Sequence, residues 1–96
     1  MAIRSFANEG VKEFFEQGRR SARFGWSNVS RIVARKLDML HYASELRDLG
    51  SPPGNRLEAL KRDWAGFHSI RVNDQWRVVF RWTESGPEEV DVVDYH

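Results

Sequence analysis

Gly66-Phe67-His68-Ser69-Ile70-Arg71-Val72-Asn73-Asp74-Gln75-Trp76-Arg77-Val78-Val79-Phe80-Arg81-Trp82 is the stretch that decides the fold. Side chains of a β-strand alternate between two faces, so Trp76, Val78, Phe80 and Trp82 share one face and Arg77 and Arg81 the other. Residues 66–72 form a matching run ahead of Asn73-Asp74, a pair suited to a tight turn. The two runs predict an antiparallel hairpin with a large aromatic face that must be covered and an arginine face left open to a ligand.

Strand signals continue outward on both sides. Residues 56–61 read as a strand before the hairpin. Ser85-Gly86-Pro87 makes a second turn, and residues 89–93 a last strand. Further upstream the period becomes helical. Asn8 is a candidate N-cap with Glu9 in the first turn, Val11, Phe14 and Phe15 follow at helical spacing, and Gly18 suits the C-cap. Ser27 heads a longer amphipathic helix carrying Val29, Ile32, Val33, Leu37 and Leu40, expected to run to about Arg47. Gly50-Ser51-Pro52-Pro53-Gly54-Asn55 stops it as a loop too short to link domains. Residues 2–6 predict a short first strand. The whole is one domain over residues 1–96 of α+β class, with the N-terminal strand and two helices packed on one face of a mainly antiparallel sheet. Phe14, Ile32, Leu37, Trp76, Val78 and Phe80 are expected in its core.

A chain of 96 residues has room for one core, and its 41% apolar and 30% charged residues are ordinary for a globular domain. With no cysteine, neither disulfides nor thiolate metal sites are available, which favours a reducing cytoplasm. No run of apolar residues approaches membrane-spanning length, so the expectation is a soluble, cytoplasmic chain with no membrane partner. The net charge of +1 conceals an asymmetry: residues 83–96 carry five acidic and no basic side chains, leaving the body strongly positive. Twelve of the fifteen cations are arginine, whose planar fork fits phosphate. Charge alone serves a solvated surface as well as an RNA-binding one.

No cofactor or metal is expected. His41, His68 and His96 have no ligand-like spacing, and there is no glycine-rich phosphate loop or supported serine nucleophile. What remains suits phosphodiester cleavage by the RNA's own 2′-hydroxyl, which needs a base, cations for the crowded phosphate and an acid for the leaving oxygen.

The segment from His68 to Phe80 resembles the Trp-Ser-Ile-x-Val-x-x-x-Trp-Arg-Ile-x-Phe signature of HigB toxins, the plasmid maintenance killer branch of the RelE/ParE superfamily. Ile3-Arg4-Ser5-Phe6 looks like the family's opening Ile-Lys-Ser-Phe, and Asp94-Tyr95-His96 matches its terminal Asp-Tyr-His. The similarity covers nearly the whole chain. It implies a RelE-like fold and the toxin of a type II toxin–antitoxin system, a ribosome-dependent, metal-independent mRNA endonuclease. The implied partners are a HigA-like helix-turn-helix antitoxin and the 70S ribosome with mRNA in its A site, with operator DNA reached only through the antitoxin complex.

Carried over position by position, the resemblance makes Lys61, Arg77, Asp94, Tyr95 and His96 catalytic candidates. The family's His-x-Leu-Lys-Gly segment is Glu58-Ala59-Leu60-Lys61-Arg62 here, so glutamate replaces the histidine and arginine the glycine. Related nucleases look like they use a glutamate, arginine and histidine set, which Glu58, Arg77 and His96 match. Glu58 would then be the base, Arg77 with Lys61 the phosphate stabilisers, and His96 the acid, since imidazole titrates in the physiological range. Tyr95 would orient or stack on the RNA and Asp94 position its neighbours. Read without the family, Glu58 serves equally as a surface ion-pair partner. Arg19, Arg20, Arg23, Arg62 and Arg81 are candidates for gripping RNA or the ribosome. Two rivals remain: a ParE-like toxin that poisons DNA gyrase without cutting nucleic acid, and a catalytically decayed partner that only binds its antitoxin as a co-repressor.

Overall fold

The structure, a computed structural model, describes residues 2–21 and 23–94. Helix α1 spans Glu9–Gln17 and α2 Ser30–Tyr42. The strands are β1 Glu58–Ala59, β2 His68–Arg71, β3 Arg77–Thr83 and β4 Gly86–Val93, antiparallel in the order β1-β2-β3-β4. This is the expected α+β arrangement.

α1 has the predicted ends. The Asn8 side-chain oxygen accepts from the backbone N–H groups of Gly10 at 2.8 Å and Val11 at 3.2 Å, satisfying donors the helix leaves free. At the other end Gly18 adopts φ 69°, and its N–H donates to the Phe14 carbonyl at 2.9 Å. The second helix differs from expectation at both ends. Ser27–Val29 is a single 3₁₀ turn that leads into α2, and α2 stops at Tyr42 rather than near Arg47. The cause is a second cap. The Asp48 carboxylate accepts from the N–H groups of Ser44 and Glu45, both at 3.0 Å, and Glu45 caps in return, starting a separate 3₁₀ turn over Leu46–Gly50.

Expectation also overreached in the strands. Of residues 56–61 only Glu58–Ala59 form a strand, with one further backbone bond from Leu60 to the Phe67 carbonyl, and Arg56 (φ 46°) and Arg62 (φ 58°) are left-handed on either side. The N-terminal segment is not a regular strand. It lies along β4 through one parallel bridge, Phe6 to Val90, with backbone bonds from Arg4 to Pro87 and Ala7 to Val90. A β-bulge in β4, with Glu89 at φ 52°, shapes this junction: the Glu89 N–H donates to Ser5 Oγ and the Val90 N–H to the Ser5 carbonyl. β4 therefore begins at Gly86, within the predicted turn, and runs longer than foreseen.

The core lies between the helices and one face of the sheet. Val11, Phe14, Val33, Leu37 and Leu40 from the helices meet Ile70, Val78, Phe80, Val90 and Val92 from the sheet. Of the expected core set, Phe14, Leu37, Val78 and Phe80 are buried, while Ile32 and Trp76 are partly buried against them. The segment between the helices adds an aromatic group missing from that set. Phe24 stacks on Trp26 at 4.2 Å, and Phe14 meets Trp26 edge-on at 5.0 Å. Among the described residues, no helix is long and apolar enough to cross a membrane.

Candidate active site

The sheet face turned away from the helices carries the chemistry. Val78 and Phe80 point into the core, so Arg77, Val79 and Arg81 point the other way, and residues paired with them share that face. Glu58, Ser69, Val79 and Asp91 form one row across all four strands. Arg71, Arg77 and Val93 form the next row. The face is less bare than the alternation implied. Ser69 and Val79 are fully buried, and Arg71, Arg77 and Asp91 are half-buried. Trp76 is half-buried too, but through packing against the core.

Arg77 is held by backbone. Its guanidinium donates to the carbonyls of Asn73 and, at 3.1 Å, Trp76. Those carbonyls are fixed by the 72–76 turn, where the Asn73 side chain accepts from the N–H groups of Gln75 at 2.9 Å and Trp76 at 2.7 Å. Two backbone carbonyls thus orient the Arg77 guanidinium, and none of the described ion pairs involves it. Directly across stands Arg71, which no sequence motif singled out. It donates to Asp74 at 2.5 Å. That bond and the Arg71 charge hold the Asp74 carboxyl below the usual range, with Arg56 and Arg77 adding to the pull.

Glu58 is exposed on β1, two strands from Arg77 and one row away. Lys61 is exposed three residues beyond Glu58, on the side away from the Arg77 row, so the register does not bring it beside Arg77. Asp94 follows β4 at the Arg77 end of the sheet, where its carboxylate accepts from Gln75 Nε2 at 3.0 Å. Tyr95 and His96 lie outside the described residues. Arg81 occupies the far end of the same face, 3.6 Å from Glu89 and with its guanidinium 5.1 Å from the centre of the Phe67 ring. Arg62 is exposed in the β1–β2 connection. Arg19, Arg20 and Arg23 are exposed in the connection between the two helices. Arg20 helps line a groove of about 330 Å³ there with Phe14, Arg31 and Asp38.

Asp91 was also missed. Burial on the sheet pushes its carboxyl up, partly offset by the bond it accepts from the Val92 N–H at 2.8 Å. Its position in the row of Glu58 follows from strand register, which required knowing the β4 bulge. Among the described residues no group of three histidine, aspartate or glutamate side chains converges as metal ligands do.

The family model described as the RelE-like toxin of the type II toxin–antitoxin system HigB matches residues 4–96. Toxin HigB-1 of Vibrio cholerae is 38% identical over 79 residues, covering 82% of each chain. Endoribonuclease HigB of Proteus vulgaris is 33% identical over 94 residues, covering 98% of this chain and 99% of its own. A solved structure, the YoeB/ParE toxin from Agrobacterium tumefaciens, shares the fold over the full length of both chains with a TM-score of 0.55 at 20% identity. From residue 4 to its last residue, this chain therefore belongs to the HigB-like family of RelE-like toxins.

Proposed function

We propose that this toxin is an endoribonuclease that cuts mRNA in the ribosomal A site through attack by the RNA's own 2′-hydroxyl. The observation that carries the reading is Arg77, a guanidinium fixed by two backbone carbonyls on the same sheet face as Glu58. By strand spacing their Cα atoms are about 12 Å apart, with both side chains on one side. The endoribonuclease name of the Proteus vulgaris relative supports RNA cleavage.

In this mechanism Glu58 takes the 2′-hydroxyl proton as the oxygen attacks phosphorus. Arg77 stabilises the negative charge that builds on the pentacoordinate phosphate, and its orientation is set before substrate arrives. His96 donates a proton to the departing 5′-oxygen, leaving a 2′,3′-cyclic phosphate upstream and a 5′-hydroxyl downstream. Asp94, which opens the terminal triplet, is held by Gln75 at the Arg77 end of the sheet. Tyr95 orients the RNA there. Lys61 and Arg62 hold it on the other side of Glu58, with Arg81 along the face. Arg19, Arg20 and Arg23, exposed between the two helices, face ribosomal RNA. A HigA-like helix-turn-helix antitoxin restrains the toxin in the cytoplasm and carries the pair to operator DNA.

The test is purified toxin added to translating ribosomes carrying a defined mRNA. Cleavage on the ribosome, with little on naked mRNA, is expected. Intact mRNA alongside inhibited DNA gyrase would replace this reading with the ParE-like one.

A further inference from the structure

Lys36 is buried in α2, with 9% of its surface exposed, and its ammonium donates to the side-chain oxygen of Asn55, which is fully buried. Buried ammonium groups are ordinarily paired with an acid. Here none of the described ion pairs involves Lys36, and the charges that act on it are positive. Burial lowers its pKa, and Arg35 and Arg71 lower it further. The turn holding Asn55 packs against β2, and β1 covers β2 only at His68 and Ser69. The turn that holds Asn55, and through it the Lys36 ammonium, thus borders β2 where β1 is short.

Arg71 extends the pattern. It stands directly opposite Arg77, a like-charge pair that ordinarily destabilises a sheet. Arg56 lies within electrostatic reach of the same Asp74 that Arg71 and Arg77 act on. That aspartate is fully exposed at the hairpin tip, where an ion pair contributes little and yields readily to another anion.

We infer that Lys36, Arg56 and Arg71 form a second phosphate subsite, which takes an RNA backbone phosphate neighbouring the one held by Arg77. The inference rests on the nuclease reading of this sheet face. The arrangement favours RNA over an acidic protein segment because Arg71 is aligned with Arg77 across one strand pair, and an arginine fork suits phosphate oxygens. On binding, the phosphate displaces Asp74 from Arg71 and supplies the anion that Lys36 lacks.

The probe is a fluorescent 2′-O-methyl oligoribonucleotide of about eight residues, which the 2′-hydroxyl mechanism cannot cut; ssDNA- and ssRNA-binding sites commonly span such lengths. Arg71→Gln should weaken its binding about tenfold. It should also reduce the slope of log affinity against log salt by about 0.7, the share of one neutralised phosphate on a single strand. Lys36→Met should weaken binding too; because it also leaves the buried Asn55 oxygen without its donor, its melting temperature is measured alongside the affinity. If Lys36→Met does not fold, Arg71→Gln and Arg56→Gln carry the test. Unchanged affinity and slope in Arg71→Gln would overturn the subsite, as would a polyglutamate peptide that competes as well as the oligonucleotide. Wild-type protein that cuts mRNA while Arg71→Gln binds normally defeats the subsite alone. Protein that binds as expected but never cuts defeats the nuclease reading and leaves the subsite standing.

Discussion

Arg77→Ala separates a fixed catalytic charge from general attraction to RNA. The guanidinium is tied to the carbonyls of Asn73 and Trp76, so it does not reorganise when charge develops on the phosphate. Losing one such preorganised donor typically costs 10²–10³ in rate, about 2.7–4 kcal/mol of transition-state stabilisation. Folding should suffer far less. The Trp76 carbonyl still accepts from the N–H groups of Val72 at 3.0 Å and Asn73 at 3.3 Å, so the turn keeps its backbone bonds and about 1 kcal/mol is lost. Arg81→Ala is the matched control, because it removes an arginine from the same face but one engaged by Glu89 and Phe67. Arg77→Lys should recover only part of the rate, since an ammonium cannot hold both carbonyls in the guanidinium geometry. The assay is single-turnover mRNA cleavage on programmed ribosomes, with thermal melts run in parallel. Equal losses for Arg77→Ala and Arg81→Ala would refute the local role of Arg77 and leave only bulk electrostatics.

Three other outcomes follow from particular residues. Glu58→Gln should lose on the order of 10²–10⁴ in cleavage rate while remaining folded, and Glu58→His, which restores the family's residue, should recover much of it; wild-type cleavage by Glu58→Gln would make Glu58 a surface residue. Gly25→Ala should destabilise the fold by about 1–3 kcal/mol, because an added Cβ would sit 2.5 Å from the Trp76 ring; at roughly 4–8 °C per kcal/mol, an unchanged melting temperature would contradict that close approach. Asp91→Asn should stabilise the protein at neutral pH. With the folded pKa raised, the native state holds its proton more tightly than the unfolded chain, so stability falls as pH rises from the unfolded pKa through the folded one. The advantage of Asn should therefore shrink as pH is lowered through that window, and an advantage independent of pH would exclude a buried carboxylate as its source.

The hairpin was legible because its pattern is redundant: four large apolar residues on one strand face admit one assignment of inside and outside. The caps of α1 were legible because asparagine and glycine have conformational reasons to be there. What escaped depends on turn length and long-range fit. A two-residue turn at Asn73-Asp74 would align Arg71 with Trp76. The observed turn spans 72–76 and aligns Arg71 with Arg77 instead, placing two arginines side by side on the site face. One residue of turn length thus hid a candidate site residue. The early end of α2 was written in Glu45 and Asp48, yet their capping role competes with an apolar stripe that Leu46 and Leu49 continue. The shortness of β1 had no signal, since nothing about an arginine announces the left-handed backbone at Arg56 and Arg62. Within the candidate site, family motifs pointed to Arg77, Glu58 and Asp94. The separation of Lys61 from Arg77 and the half-burial of Asp91 emerge only from strand register.

The most direct measurement uses an mRNA with a single 2′-deoxynucleotide immediately 5′ of the cleaved phosphate, presented to the toxin in the A site of a programmed ribosome. The deoxy substitution leaves phosphate, bases and ribosome contacts in place and removes only the proposed nucleophile. Cleavage at that position should disappear, while the all-ribose mRNA yields an upstream fragment ending in a 2′,3′-cyclic or 3′-phosphate. Cleavage of the deoxy-substituted mRNA at the same rate, or a 3′-hydroxyl on the upstream fragment of either mRNA, would contradict the mechanism.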